Sequence, residues 1–190
     1  MNTTPDRLRP RNSPFRPDCR ASERVFCWTG PNTPPPATID NPLIQFLVRV
    51  ASCASLSDPT SYGSGLRKFH VFCDAFHIPE EDRLPASFEV LHSFAVWAAS
   101  DPDVLGGDLW RLGEFEPVSV QTVGKYLAAI RAWHLLQGWP PPLDSRGHQR
   151  IEFSLRGLAK LSAGKRSRPI RPPGNCQHAR CSEGNPPVGL

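Results

Sequence analysis

Proline placement constrains this chain more than any other feature. It carries 22 prolines in 190 residues, about 12% where ordinary chains have roughly 5%. A proline inside a helix or sheet removes a hydrogen-bond donor and clashes with the preceding turn. Thirteen of the 22 lie in residues 1–36 and 165–190, so those flanks are expected not to pack. Most of the others stand where helices can begin or end. At 190 residues and 21.1 kDa, one compact unit with tails is the expected organisation.

Residues 1–37 mix scattered Arg, an Asn-Thr-Thr run and Pro34-Pro35-Pro36, with Val25-Phe26-Cys27-Trp28 as the one apolar island. That composition predicts a disordered or loosely attached arm, because little surface is available to offset the entropy of ordering it. From Asp40 the pattern turns helical. Leu43, Phe46, Leu47 and Val50 recur at spacings of three and four behind Pro42, with Asp40 or Asn41 as cap. Ser57 or Asp58 before Pro59 opens a second helix, with Tyr62, Leu66, Phe69, Cys73 and Phe76 on one face, and Ile78-Pro79 ends it. Pro85-Ala86-Ser87 opens a third, carrying Phe88, Leu91, Phe94, Ala95 and Trp97, and Ser100-Asp101-Pro102 closes it. A fourth runs from Ser119, with Val120, Val123, Leu127, Ile130 and His134 on one side, to Gly138. A fifth starts at Asp144 or Ser145 and carries Ile151, Leu155 and Leu158. No segment alternates as a strand would. The expected fold is an all-α bundle of four to five helices spanning residues 38–163, followed by a basic, proline-rich linker and tail over 164–190.

The formal charge of +4 hides a division. Residues 37–117 hold five basic side chains against twelve acidic, whereas residues 118–164 hold six basic against two acidic. A polyanionic partner would therefore meet the second half. No apolar run reaches the length of a membrane span, and no basic region followed by an apolar block marks an export signal. The six cysteines are expected to be reduced thiols. The six histidines show no His-Glu-x-x-His spacing, and Cys176-x-His178-x-x-Cys181 offers three zinc ligands where a structural site needs four. A nucleophile made from Cys73 with His70 or His77 is disfavoured by the place of Cys73 on an apolar stripe. Gly63-Ser64-Gly65 lacks the strand and third glycine of a phosphate loop. No metal or cofactor, and no small-molecule substrate, is expected.

The fifth segment has a specific geometry. Stepping about 100° per residue from Ile151, Leu155 and Leu158 stay beside it, while Arg146, Gln149, Phe153, Arg156 and Lys160 fall on the opposite side. Cations and an amide opposite a core stripe suit a helix laid on phosphates or set in a major groove. Any amphipathic helix also turns its charges outward, so the pattern alone does not decide. On the fourth segment Lys125 opposes the apolar face and Arg131 flanks it. The run from Gly164 to Pro173, with Lys165, Arg166 and Arg168, could track a DNA backbone or serve nuclear import.

The run Ser61-Tyr62-Gly63-Ser64-Gly65-Leu66-Arg67-Lys68-Phe69-His70-Val71-Phe72-Cys73 carries a resemblance. It is joined by Ile78-Pro79, Leu84-Pro85-Ala86-Ser87, then Val118-Ser119 through Tyr126-Leu127-Ala128-Ala129-Ile130-Arg131-Ala132-Trp133-His134, and Gly138-Trp139-Pro140. In this order the motifs resemble the N-terminal core-binding domain of tyrosine recombinases, of the phage-integrase superfamily. The nearest likeness is to the DNA breaking-rejoining, integrase-like proteins of mushroom-forming fungi. It covers roughly residues 40–173.

The resemblance implies a SAM-like helical domain forming half of a clamp on double-stranded DNA, beside other recombinase protomers. Its DNA contacts would be Lys125, Arg131, Arg146, Gln149, Arg150, Arg156, Lys160, Lys165, Arg166 and Arg168. It also implies a function in recombination or integration, within the nucleus if the basic run imports it and otherwise in the cytoplasm. The family's catalytic Arg, His-x-x-Arg and Tyr belong to a following domain that residues 174–190 do not resemble, and Tyr62 and Tyr126 both lie at helical core spacing. The chain is therefore expected to bind rather than cleave. The alternative is a helical protein-interaction module that never meets DNA, using an apolar face or the acidic residues 37–117.

Overall fold

In the computed structural model, the described residues are 9–33, 41–54, 56–101 and 117–165, and they are helical, with no strand among them. We number the helices α1 (Arg24–Cys27), α2 (Pro42–Ala54), α3 (Pro59–Ala75), α4 (Phe88–Ala99), α5 (Val120–Leu136) and α6 (Ser145–Lys165). Short 3-10 turns lie at Ala21–Glu23 and Glu80–Asp82. The all-α expectation holds.

The boundaries follow local chemistry. Asp58 accepts a hydrogen bond from the Ser61 amide ahead of Pro59 at the first position of α3. Ser87 and Ser119 accept from the amides of Val90 and Thr122 at the starts of α4 and α5. Gly138, at φ 82°, takes the left-handed conformation that ends α5. Asp144 accepts from the Gly147 amide at 2.6 Å and opens α6.

The core sits where α3, α4 and α5 meet, around Leu66, Phe69, Leu91, Phe94, Ile130 and Trp133, each fully buried. Phe69 meets Phe94 edge to face at 5.4 Å and Trp133 at 6.4 Å, the arrangement favoured by the ring quadrupoles. Gly65 lets α5 close on α3, since a Cβ there would lie 2.8 Å from the Tyr126 ring and 3.2 Å from Ala129. Helix α6 lays Ile151 and Leu155 against this body and packs chiefly on α4.

One expectation needs correction. The arm expected to be disordered or loosely attached over residues 1–37 is anchored on the bundle within its described part, residues 9–33. Val25 is fully buried and Trp28 nearly so. The Trp133 indole donates to the Trp28 carbonyl at 2.7 Å, and the Gln137 amide reaches the carbonyls of Val25 and Phe26. Four apolar residues suffice here because α3 and α5 supply the other side of the interface. Prolines do not prevent packing when side chains from elsewhere satisfy the irregular backbone.

The short helix expected behind Pro42 is α2. The helix forms behind Pro42, with the Asn41 side chain capping the amides of Leu43 and Ile44. Its apolar stripe does not enter the core, however: Leu43, Phe46, Leu47 and Val50 are all exposed. Periodicity reports that a helix has an apolar side, but not what covers that side.

Candidate nucleic-acid interface

Helix α6 positions most of the cations expected to contact DNA. Its first turn comes close to α4 because residue 147 is glycine; a Cβ there would lie 3.2 Å from the Phe88 ring and 3.1 Å from Asp144. The Arg150 guanidinium consequently lies 4.3 Å from the centre of the Phe88 ring. Such stacking holds the planar fork in place without neutralising it. His92 of α4 and Ser154 of α6 share a hydrogen bond at 2.8 Å, which fixes the rotation of one helix against the other.

The result is an open hollow of about 550 Å³ lined by Arg146, Gln149, Arg150 and Phe153 of α6 with His92 of α4. Phe153 is 75% exposed, so an aromatic face stands among donors that suit phosphate or base edges. Arg156 and Lys160 are also exposed, extending the surface to roughly 21 Å from Arg146 at 1.5 Å per residue. Among the described residues, no carboxylate forms an ion pair with Arg146, Arg150, Arg156 or Lys160.

The other expected contacts are not gathered there. Arg131 lines a separate groove between α5 and α6, together with His148 and Glu152. Lys125 is exposed on α5, about 120° around the helix from Arg131. Lys165 is the last residue of α6, and Arg166 and Arg168 lie outside the described residues. Cys176, His178 and Cys181 lie outside them too.

Of the groups weighed for catalysis, Cys73, His70 and Tyr126 lie in or against the core. Cys73 is fully buried, and burial pushes its thiol well above the usual range. His70 is buried among the rings of Trp28, Phe69 and Trp133. Burial, and then the charges of Arg16 and Arg83, hold it well below its ordinary pKa. Tyr126 lies partly buried beside Phe94, and burial raises its pKa. Among the described residues no group of three His, Cys, Asp or Glu could hold a metal ion, and no helix is long and apolar enough to cross a membrane.

The sequence missed a second gathering of cations, from Arg9, Arg11, Arg16 and Arg24 with Arg67 of α3. No periodicity links them, because most stand on irregular backbone that only the tertiary fold brings together. No family model, curated protein or solved structure matches this chain.

Proposed function

We propose that the chain binds double-stranded DNA through the outer face of α6, as the core-binding part of a recombinase-like protein, with a role in DNA recombination or integration. The observation that carries this reading is the row of exposed cations on one helix that form no ion pair among the described residues, with Gln149 and Phe153 among them. Arg146, Arg150, Arg156 and Lys160 would neutralise phosphates, while Gln149 and one of the arginines could address base edges. The SAM-like character of the bundle and a nuclear setting belong to the same reading. So does binding without strand cleavage, since Tyr62 and Tyr126 both pack against the core.

Affinity for a duplex measured across a salt series tests it. Four phosphate contacts give a slope of log K against log salt of about −3 to −4. Reversing two cations, in Arg156→Glu with Lys160→Glu, should flatten that slope by about 2 and weaken all sequences alike. A slope near zero, or unchanged binding by the double variant, overturns the reading.

A second reading, a protein-interaction module, is favoured by the exposed apolar side of α2. An apolar groove of about 500 Å³ between α3 and α4, walled by Phe72, Phe76, Val90 and Trp97, adds to it. Retained partner binding after the α6 charge reversals would separate the two readings.

A further inference from the structure

The N-terminal segment folds back over α3 and encloses a polar hollow of about 440 Å³. Five arginines line it: Arg9, Arg11, Arg16 and Arg24 from the segment, and Arg67 from α3, with Asp18 on the same wall and Asp74 and Glu80 paired with Arg16. Gathering like charges around a concavity opposes folding unless something else favours the arrangement.

Part of the cluster is structural. Arg16 has a side chain only 3% exposed and donates through one terminal nitrogen to both oxygens of Glu80, at 2.7 and 2.8 Å. Its other terminal nitrogen donates to the Arg11 carbonyl at 3.0 Å. Its Nε–H, however, is buried with no hydrogen-bond partner. Arg24 lies over the Trp28 ring at 5.4 Å and donates to the Gly63 carbonyl, so it too is held in place rather than free to swing into solvent. Burial, followed by the neighbouring charge of Arg67, depresses its pKa, with Cys19 and Asp18 opposing the shift.

We propose that this hollow binds a small oligophosphate, either free or as the phosphate tail of a nucleotide. Forked guanidiniums on several sides match phosphoryl oxygens two at a time, and the volume exceeds what a single phosphate fills. The shape argues for a small ligand over a duplex, since the arginines line a concavity from two parts of the chain rather than a continuous ridge. None of the lining residues belongs to α4 or α6, so the site is independent of the surface assigned to DNA.

Calorimetric titration of the full chain with tripolyphosphate, with ATP, and with sulfate at matched ionic strength tests the proposal. Saturable one-to-one binding of tripolyphosphate is expected, with sulfate at least tenfold weaker. Equal affinity for ATP assigns recognition to the phosphates, and tighter binding of ATP assigns it to a nucleotide. Arg11→Gln with Arg67→Gln should weaken binding at least tenfold without changing the helical circular dichroism, whereas Arg156→Glu with Lys160→Glu should leave it unchanged. Should the first pair fail to fold, Arg9→Gln with Arg11→Gln at the exposed rim provides the same reading. Absence of saturable binding, sulfate binding as tight as tripolyphosphate, or affinity untouched by the rim variants would overturn the proposal. Displacement of tripolyphosphate by a short duplex, abolished by the rim variants and not by the α6 variants, would also overturn it.

Discussion

His134 shows how much a single side chain can decide. Its Nε2 accepts from the Ala86 amide at 2.9 Å and its Nδ1–H donates to the Ile130 carbonyl at 2.8 Å, so the ring is neutral and of one tautomer. Burial lowers its pKa to about 4, the bond to Ile130 opposing the shift. His70 is held neutral in the same direction by burial and by Arg16 and Arg83. Both rings take up a proton near pH 6.5 when the chain unfolds. Stability contributed by the neutral forms is therefore complete above that pH and is lost as pH falls toward 4. The loss is about 1.4 kcal/mol per pH unit for His134. Denaturant titrations should show about 2 kcal/mol less stability at pH 5 than at pH 7 from His134, with His70 acting in the same direction. Arg16 gives a second test, because Glu80 and Asp74 share its charge, with Arg83 also on Asp74 at 2.8 Å. Arg16→Ala leaves buried carboxylate charge undercompensated and should cost about 3 kcal/mol in chemical denaturation. His134 could be placed on the apolar side of its helix from spacing alone. Arg16 could not, since nothing in a proline-rich stretch distinguishes a buried arginine from a solvated one.

At the scale of elements, helix starts were legible because they are local events: Asp58 with Pro59, Ser87, and Ser119 cap the amides their positions suggest. The inner face of α6 was legible for the same reason, Ile151 and Leu155 being buried while Arg156 and Lys160 are exposed. The fate of the α2 stripe was not, because it depends on a neighbour that spacing cannot name. Glycines inside helices divide likewise. A Cβ at Gly63 would fall 1.7 Å from the Ala21 carbonyl oxygen, whereas Gly124 and Gly157 face open space. Gly63→Ala should thus push the N-terminal segment off α3 and destabilise by about 2–3 kcal/mol in thermal or denaturant melts. Gly124→Ala and Gly157→Ala should each stabilise by about 0.5–1 kcal/mol.

For the molecule as a whole, the N-terminal segment is a structural member rather than a tail. Removing residues 1–33 strips Val25 and Trp28 from the core and leaves the Trp133 indole without its acceptor. The shortened chain should keep its helical far-ultraviolet signal but lose its near-ultraviolet tryptophan signal and its cooperative melt. The division of charge could be read from composition, and the exposed cations of α6 agree with it. The arginine-lined hollow could not, since its members come from irregular chain and one turn of α3.

The bond from Trp133 to Trp28 joins positions 105 residues apart. On a ribosome the opening segment emerges first, and the helix that receives it emerges more than a hundred residues later. Until then its tryptophan and valine have only α3 to dock against. Completion of this fold is consequently tied to synthesis of α5, and any nascent chain halted before that helix leaves the apolar residues of α1 shielded on one side only.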